Sequence, residues 1–166
     1  MNDAAFLIEH FHLQKHPEGG WFSEVYRSGE IIPPQGLPGR YGKERNVATS
    51  IYFLLEGHDF SAFHRLLSDE TWHFYSGCPL NLHIIHPVGI LENIILGNEA
   101  RSNMQFQYTI PHGCWFAARP ADPSSFSFIG CSVAPGFDFE DFELASRDRL
   151  IEAFPMHQRL IERLSR

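Results

Sequence analysis

A chain of 166 residues with 43% hydrophobic side chains is most simply one globular domain (1–166), able to bury roughly 68–70% of its unfolded surface without a disulfide or structural metal. Its formal net charge of −7 offers no basic footprint for a nucleic acid, and no apolar run approaches the length that spans a bilayer. Fifteen Phe, five Tyr and three Trp suit strands and pocket walls instead.

The opening Met1-Asn2-Asp3-Ala4-Ala5-Phe6 lacks the basic start and long apolar run of a signal peptide, so the cytoplasm is the expected location and no membrane partner is expected. Phe6, Leu7, His10 and Phe11 then fall at helical spacing, which predicts a helix over about 3–13 with Asn2 or Asp3 as N-cap. His16-Pro17-Glu18-Gly19-Gly20 breaks it. Pro and Gly there fit a tight turn, but the turn does not need His16 or Glu18, so an approach to a pocket or an interface stays open for both. Residues 21–27 alternate as a strand, with Phe22, Glu24 and Tyr26 on one face. Glu24 and Arg27, on opposite faces, are not both expected inside a barrel, and Arg27 reads as an exposed solubilising residue, with binding of a ligand phosphate or carboxylate as the alternative. Residues 29–43 hold three Pro and four Gly and read as an exposed loop.

From residue 48 to 131 short strands alternate with turns, at about 49–55, 61–66, 70–76, 80–86, 90–96, 105–110, 114–118 and 126–133. That spacing predicts a mainly β fold, a sandwich or barrel over about 20–135. Apolar residues on both alternations, as in Ile51-Tyr52-Phe53-Leu54-Leu55, predict strands covered on both faces by a sheet, a helix or a partner subunit. Cys78, Cys114 and Cys131 are far apart among apolar or glycine neighbours and read as core thiols. The run Asp138, Glu140, Asp141 and Glu143 with Phe137, Phe139 and Phe142 reads as a surface segment whose aromatic rings pack inward. Helices over about 146–165 close the chain, with Ser146 as a cap and Pro155 dividing them.

The chemistry-bearing stretch is 57–77. His64 and Glu70 stand on neighbouring strands among aromatic residues, a pattern open to a small-molecule pocket, a metal site or an acid–base pair. Gly57, His64, Glu70 and Gly77 fit most of the first cupin motif, Gly-x5-His-x-His-x3-4-Glu-x6-Gly, although six residues rather than five separate Gly57 from His64. Pro111-x-Gly113 resembles the core of the second motif. With His16-Pro17-Glu18-Gly19-Gly20, Phe63-His64-Arg65-Leu66, Ser68-Asp69-Glu70-Thr71-Trp72-His73-Phe74 and Val133-Ala134-Pro135-Gly136-Phe137, the chain resembles the Cupin_5 group over nearly its full length. That group is a domain of unknown function labelled as predicted sugar epimerases.

The resemblance implies a jelly-roll β-barrel, a homodimer and an internal small-molecule pocket. Metal-binding cupins use three His and one Glu from these motifs. Here Leu66 and Phe116 occupy two of the His positions and Pro120 the motif Asn, which leaves His64 and Glu70 as the only ligand-type side chains. No cofactor is therefore expected, a divalent metal being the exception to test. His83 and His86 are candidates to refill such a shell, whereas alternation from Glu70 sends His73 to the other face. The metal-free sugar-nucleotide epimerases among cupins imply His64 as a general base, with Glu70 orienting it. Phe63, Trp72, Phe74 and Phe116 would shape the pocket, while spacing alone assigns the return of a proton to none of Tyr52, Tyr75 and Tyr108. Three readings stand: a metal-independent epimerase or isomerase of a keto-sugar or similar carbonyl compound, a non-catalytic small-ligand binding module, and a metal-dependent cupin enzyme.

Overall fold

The structure, a computed structural model, describes residues 3–166. Helix α1 (Asp3–His10) leads into strands β1 (Gln14–Lys15), β2 (Trp21–Arg27), β3 (Ile31–Ile32), β4 (Arg45–Asn46) and β5 (Thr49–Glu56). The central strands are β6 (Ser61–Arg65), β7 (Asp69–Gly77), β8 (Leu80–Ile85) and β9 (Leu91–Leu96). Strands β10 (Gln107–Ile110), β11 (Trp115–Pro120), β12 (Phe126–Ala134) and β13 (Glu143–Leu144) precede helices α2 (Arg147–Ala153) and α3 (Gln158–Arg163). A six-stranded antiparallel sheet runs β1-β2-β5-β12-β7-β10 and a five-stranded one β13-β6-β11-β8-β9. The mainly β jelly-roll sandwich is the expected fold class, with short helices at both ends.

Side-chain alternation builds three layers of core. Phe53 and Leu55 of β5, Trp72 and Phe74 of β7, Leu82 and Ile84 of β8 and Phe116 of β11 fill the space between the sheets. The opposite alternation of the five-stranded sheet, Phe63, Ile85 and Ala117, packs under Leu150, Ile161 and Leu164 of the C-terminal segment. Leu54 and Phe128, on the outside of the six-stranded sheet, are covered by Ala4 and Leu13, with Leu7, Phe11 and Tyr52 alongside. Helices thus supply the cover that the doubly apolar strands require.

Several expectations change locally. The first helix ends at His10 rather than residue 13, because His12 turns to φ 53° and the chain pairs at once as β1. Asp3 begins α1; Asn2, the other candidate cap, lies outside the described residues. The segment 29–43 is not simply an exposed loop: β3 pairs with β4, and Tyr41 is buried with its hydroxyl donating to Leu67 O at 3.0 Å. Ser146 holds the N-cap position of α2, but its side chain makes no capping bond. No helix among the described residues is long and apolar enough to cross a membrane.

Two features shape one end of the barrel. The first is a bulge in β2: Glu24 pairs with Ile51 and Tyr26 with Ser50, leaving Val25 unmatched. One extra residue reverses the alternation beyond it. Glu24 and Arg27 therefore reach the same side, contrary to the expectation from an unbulged strand, and form a two-pronged ion pair (Arg27 Nε–Oε1 3.0 Å, Nη2–Oε2 2.7 Å). The second is a strap, residues 137–142, that leaves β12, crosses the barrel end and returns as β13 beside β6. Its acidic run is not all surface. Asp141 is buried and receives Arg45 Nε at 2.7 Å, with a second contact from Nη2.

Removing one partner of a buried ion pair strands the other charge and costs about 3–5 kcal/mol, whereas an exposed pair is worth under about 1. Asp141→Ala should therefore lower the unfolding free energy in urea by about 3 kcal/mol, while Lys43→Ala, which breaks the exposed Lys43–Glu140 pair, should leave it nearly unchanged. Equal effects would show that the strap is not held by the Arg45 pair.

Candidate active site

A cavity of about 270 Å³ opens at this end of the barrel. Its apolar walls come from Phe22, Ile51, Phe53, Leu66 and Val133, and the strap lays Phe137, Phe139 and Phe142 across it. The polar groups are few and mostly buried: His16, Glu18, His64 and Glu70 inside, and the Glu24–Arg27 pair with Asp138 toward the outside.

His64 is 2% exposed. Its Nδ1 lies 2.7 Å from Ala62 O. A carbonyl can only accept, so Nδ1 carries the proton and Nε2 presents its lone pair. Nε2 lies 3.1 Å from Glu18 Oε2. The same oxygen is 3.4 Å from His16 Nδ1, which accepts the Glu18 backbone N–H at 3.3 Å. The second Glu18 oxygen accepts the Ser61 hydroxyl at 2.8 Å. Oε2 of Glu18 thus lies beside two imidazole nitrogens, of which His16 Nδ1 already accepts the Glu18 N–H. Burial and the Glu70 charge push the Glu18 carboxyl well up, against the pull of Ser61. Burial also lowers both imidazoles, His64 to about 3 with help from His16, and His16 to about 4. Burial thus disfavours charge on Glu18, His16 and His64 alike, and Glu18 Oε2 lies in close contact with His64 Nε2.

Glu70 stands at the start of β7, in the sheet that faces β6. It is buried and its Oε2 has no hydrogen-bond partner. Burial raises its carboxyl to about 7, against smaller opposing effects from Trp72 and Cys131. A carboxyl poised near neutrality, with a free oxygen in a cavity, can take or give a proton under ordinary conditions.

His64 and Glu70 are thus brought to one cavity, but not as a bonded pair: Glu18 is the partner of His64, and Glu70 stands apart on the facing sheet. Phe116 packs against the His64 ring with centroids 4.1 Å apart, and Trp72 packs against Phe116 at 5.9 Å. Both, with Phe74, lie in the core behind the cavity. Phe63, one residue from His64, faces the helices instead. Tyr52 lies outside the six-stranded sheet, with its ring 4.5 Å from that of Phe11. His83 pairs with Asn93 at 2.6 Å, its neighbours Leu82 and Ile84 taking the inward places. Period-two alternation from the inward residues accounts for all three departures. Tyr75 packs beside Tyr52, and Tyr108 donates to Glu92 at 2.6 Å; neither lines the cavity.

Sequence reasoning left Glu18 open and did not find the cavity-lining roles of Glu24 and Arg27. For Glu18 a signal existed: a buried-type turn carrying two ionisable residues that the turn itself does not use. The bulge that places Arg27 had none.

The cupin metal shell is not rebuilt. Among the described residues no three His, Cys, Asp or Glu side chains converge as ligands for one ion. Leu66 lines the cavity where the second motif His would stand, Phe116 lies in the core at the place of the third, and His64 Nε2 is turned onto Glu18. The donor set does not fit the cupin metal.

Two antiparallel sheets closed around an internal site, with its acid–base residues on the strands of the first cupin motif, define a cupin-type barrel. The chain belongs to the Cupin_5 family, of the Cupin superfamily (DUF985), whose model matches residues 5–145. It is similar to the crystal structure of protein SO0799 from Shewanella oneidensis at 37% identity and TM-score 0.90, over 100% of this chain and 99% of that one. A hypothetical protein from Leishmania major matches at 34% identity and TM-score 0.90, over 99% of both chains. The uncharacterized protein YML079W of Saccharomyces cerevisiae is 29% identical over 144 residues, 81% of this chain and 71% of that protein. Oxalate decarboxylase from Bacillus subtilis, at 12% identity and TM-score 0.54 over 95% of this chain and 37% of that one, shares the fold alone.

The Glu70 environment fixes a pH dependence. With its folded pKa raised from 4.5 to about 7, the native state holds a proton that the unfolded chain has released, so Glu70 favours folding below pH 4.5 relative to pH above 7. One pKa unit corresponds to about 1.4 kcal/mol, which makes the change roughly 3 kcal/mol across that window. Glu70→Gln should therefore gain about 3 kcal/mol on wild type between pH 4 and pH 8 in urea unfolding. A constant difference between the two proteins would remove the raised Glu70.

Proposed function

We propose that this protein is a metal-independent isomerase or epimerase that moves a proton at the carbon beside a carbonyl, in a keto-sugar or similar small compound. The observation that carries the reading is the buried Glu70 oxygen without a hydrogen-bond partner, in a cavity that Glu18 and His64 also line. The cavity volume, about 270 Å³, lies just below the roughly 300–1,000 Å³ of ligand pockets and suits a monosaccharide better than a nucleotide sugar.

Ionised Glu70 takes the proton from the carbon. The C–H electrons pass to the carbonyl, whose oxygen receives the proton of Glu18, and an enediol results without net oxidation. For the isomer, Glu70 returns its proton to the other carbon; for the epimer, a solvent proton enters on the other face and Glu70 releases its own to solvent. In both cases an enediol hydroxyl gives its proton back to Glu18 as the carbonyl re-forms, so both carboxyl groups end as they began. His64, expected from the family resemblance as the base, acts in this scheme through Glu18 as a positioning residue. The homodimer belongs to the same proposal. Val25, Tyr26 and Tyr75, all exposed, offer apolar surface on strands β2 and β7.

Solvent-deuterium incorporation into ketohexoses tests the chemistry. Wild type should exchange the hydrogen beside the carbonyl, with a pH–rate limb near 7. Glu70→Gln should slow the exchange by about 10²–10⁴-fold and abolish that limb. His64→Ala should stay folded and shift the profile. Binding without exchange would leave a ligand-binding module. Stoichiometric metal in wild type that disappears in His64→Ala and Glu70→Ala would instead restore the metal-dependent cupin. Light scattering at micromolar concentration should give a dimer, and a monomer would end that part of the proposal.

A further inference from the structure

The charges around the cavity restrict its ligand further. Among the described residues that line it, Arg27 is the only Lys or Arg, and four of its five N–H donors are already committed. Nε and Nη2 bind the two Glu24 oxygens, and Nη1 reaches Asn46 Oδ1 at 2.8 Å and Phe137 O at 3.1 Å. Backbone donors that might cradle an anion are also engaged. Gly19 N–H goes to His16 O at 3.0 Å, Gly20 N–H to Asp59 Oδ2 at 3.0 Å and Phe137 N–H to Thr49 Oγ1 at 2.9 Å. Four carboxyl groups face the same space, Glu18, Glu24, Glu70 and Asp138. An anion placed there would meet no free cation and would lose its hydration beside Glu70, whose buried oxygen has no partner.

An uncharged hydroxyl meets the opposite conditions. The partnerless Glu70 oxygen accepts its proton, and the flat rings of Phe22 and Phe142 take the apolar C–H face of a sugar. We infer that the cavity takes an uncharged hydroxy-carbonyl compound of monosaccharide size and rejects the phosphorylated or carboxylated form of the same compound. This rests on the isomerase reading for the carbonyl, but not for the charge.

The probes are ketohexoses in matched sets: D-fructose, D-fructose 6-phosphate and D-fructuronate, and the corresponding D-tagatose set. The uronates carry charge at almost unchanged size, which separates charge from bulk. Binding is read on the wild-type protein by saturation-transfer NMR and calorimetry, and deuterium exchange is measured in the same samples. At least one free ketohexose should bind about tenfold or more tighter than both of its anionic counterparts, as expected where like charges are brought together. Such selectivity without exchange keeps this inference and removes the isomerase. Equal or tighter binding of a phosphate or uronate overturns it, even where exchange occurs. Failure of every free ketohexose to bind overturns it as well.

Discussion

The carboxyl of Glu18, 6% exposed, is the constraint around which the site is arranged. A carboxylate in an apolar barrel is costly, so it must be ionised and paired or be neutral and bonded. Here burial pushes its proton affinity up, and it accepts the Ser61 hydroxyl beside two imidazoles. The backbone is arranged to keep it there. Glu18 O accepts from Ala62 N–H at 2.8 Å and from Arg166 Nε at 3.3 Å, and Asp59 receives both Gly20 N–H and an Arg166 guanidinium nitrogen. Gly19 sits at φ 112°, where an added Cβ would lie 2.2 Å from Phe60 O. The C-terminal residue and the first turn are thereby tied to the start of β6, the strand that carries His64.

The strap solves the complementary problem of keeping water from these groups. Its rings do so only if the segment is fixed, and here the solution is ionic: Arg45 and Asp141 are both buried and bonded twice. The contrast within one barrel end is instructive. The structural anchor is a charge pair whose geometry is complete. The interior carboxyl groups are shifted toward their neutral forms, Glu18 and Glu70 alike first by burial.

Much of this was legible from residue order. Alternation and turn residues placed the core strands, since each has a face that must be buried, and the His64–Glu70 spacing brought both residues to one cavity. Period two also shows why Phe63, Tyr52 and His83 point elsewhere: each is next in sequence to a residue that faces inward. The partner of His64 was harder to read. Glu18 lies in a turn 46 residues earlier, and nothing local in a Pro-Gly turn tells whether its carboxyl turns inward. The bulge at Val25 was not legible, because an extra residue in one strand depends on the register of its neighbour, a long-range property. Asp141 looked like surface for a similar reason. Its acidic neighbours are exposed, and only Arg45, 96 residues away, makes its burial tolerable.

Replacement of the metal ligands has consequences beyond the loss of a metal. In a cupin with His at the positions of Leu66 and Phe116, an ion would hold Glu70 as a carboxylate and lower its proton affinity. Leucine at 66, which lines the cavity, and phenylalanine at 116, which stacks on His64, act in the opposite direction. They supply no polar partner, and burial raises the Glu70 carboxyl to about 7. In the proposed reaction, residues that would read as degeneration in a metal site leave instead a carboxyl suited to proton transfer near neutral pH. The same apolar surroundings make an anion expensive to admit. The proposed proton transfer and the proposed charge selectivity thus rest on one feature, hydrocarbon in place of imidazole around His64 and Glu70.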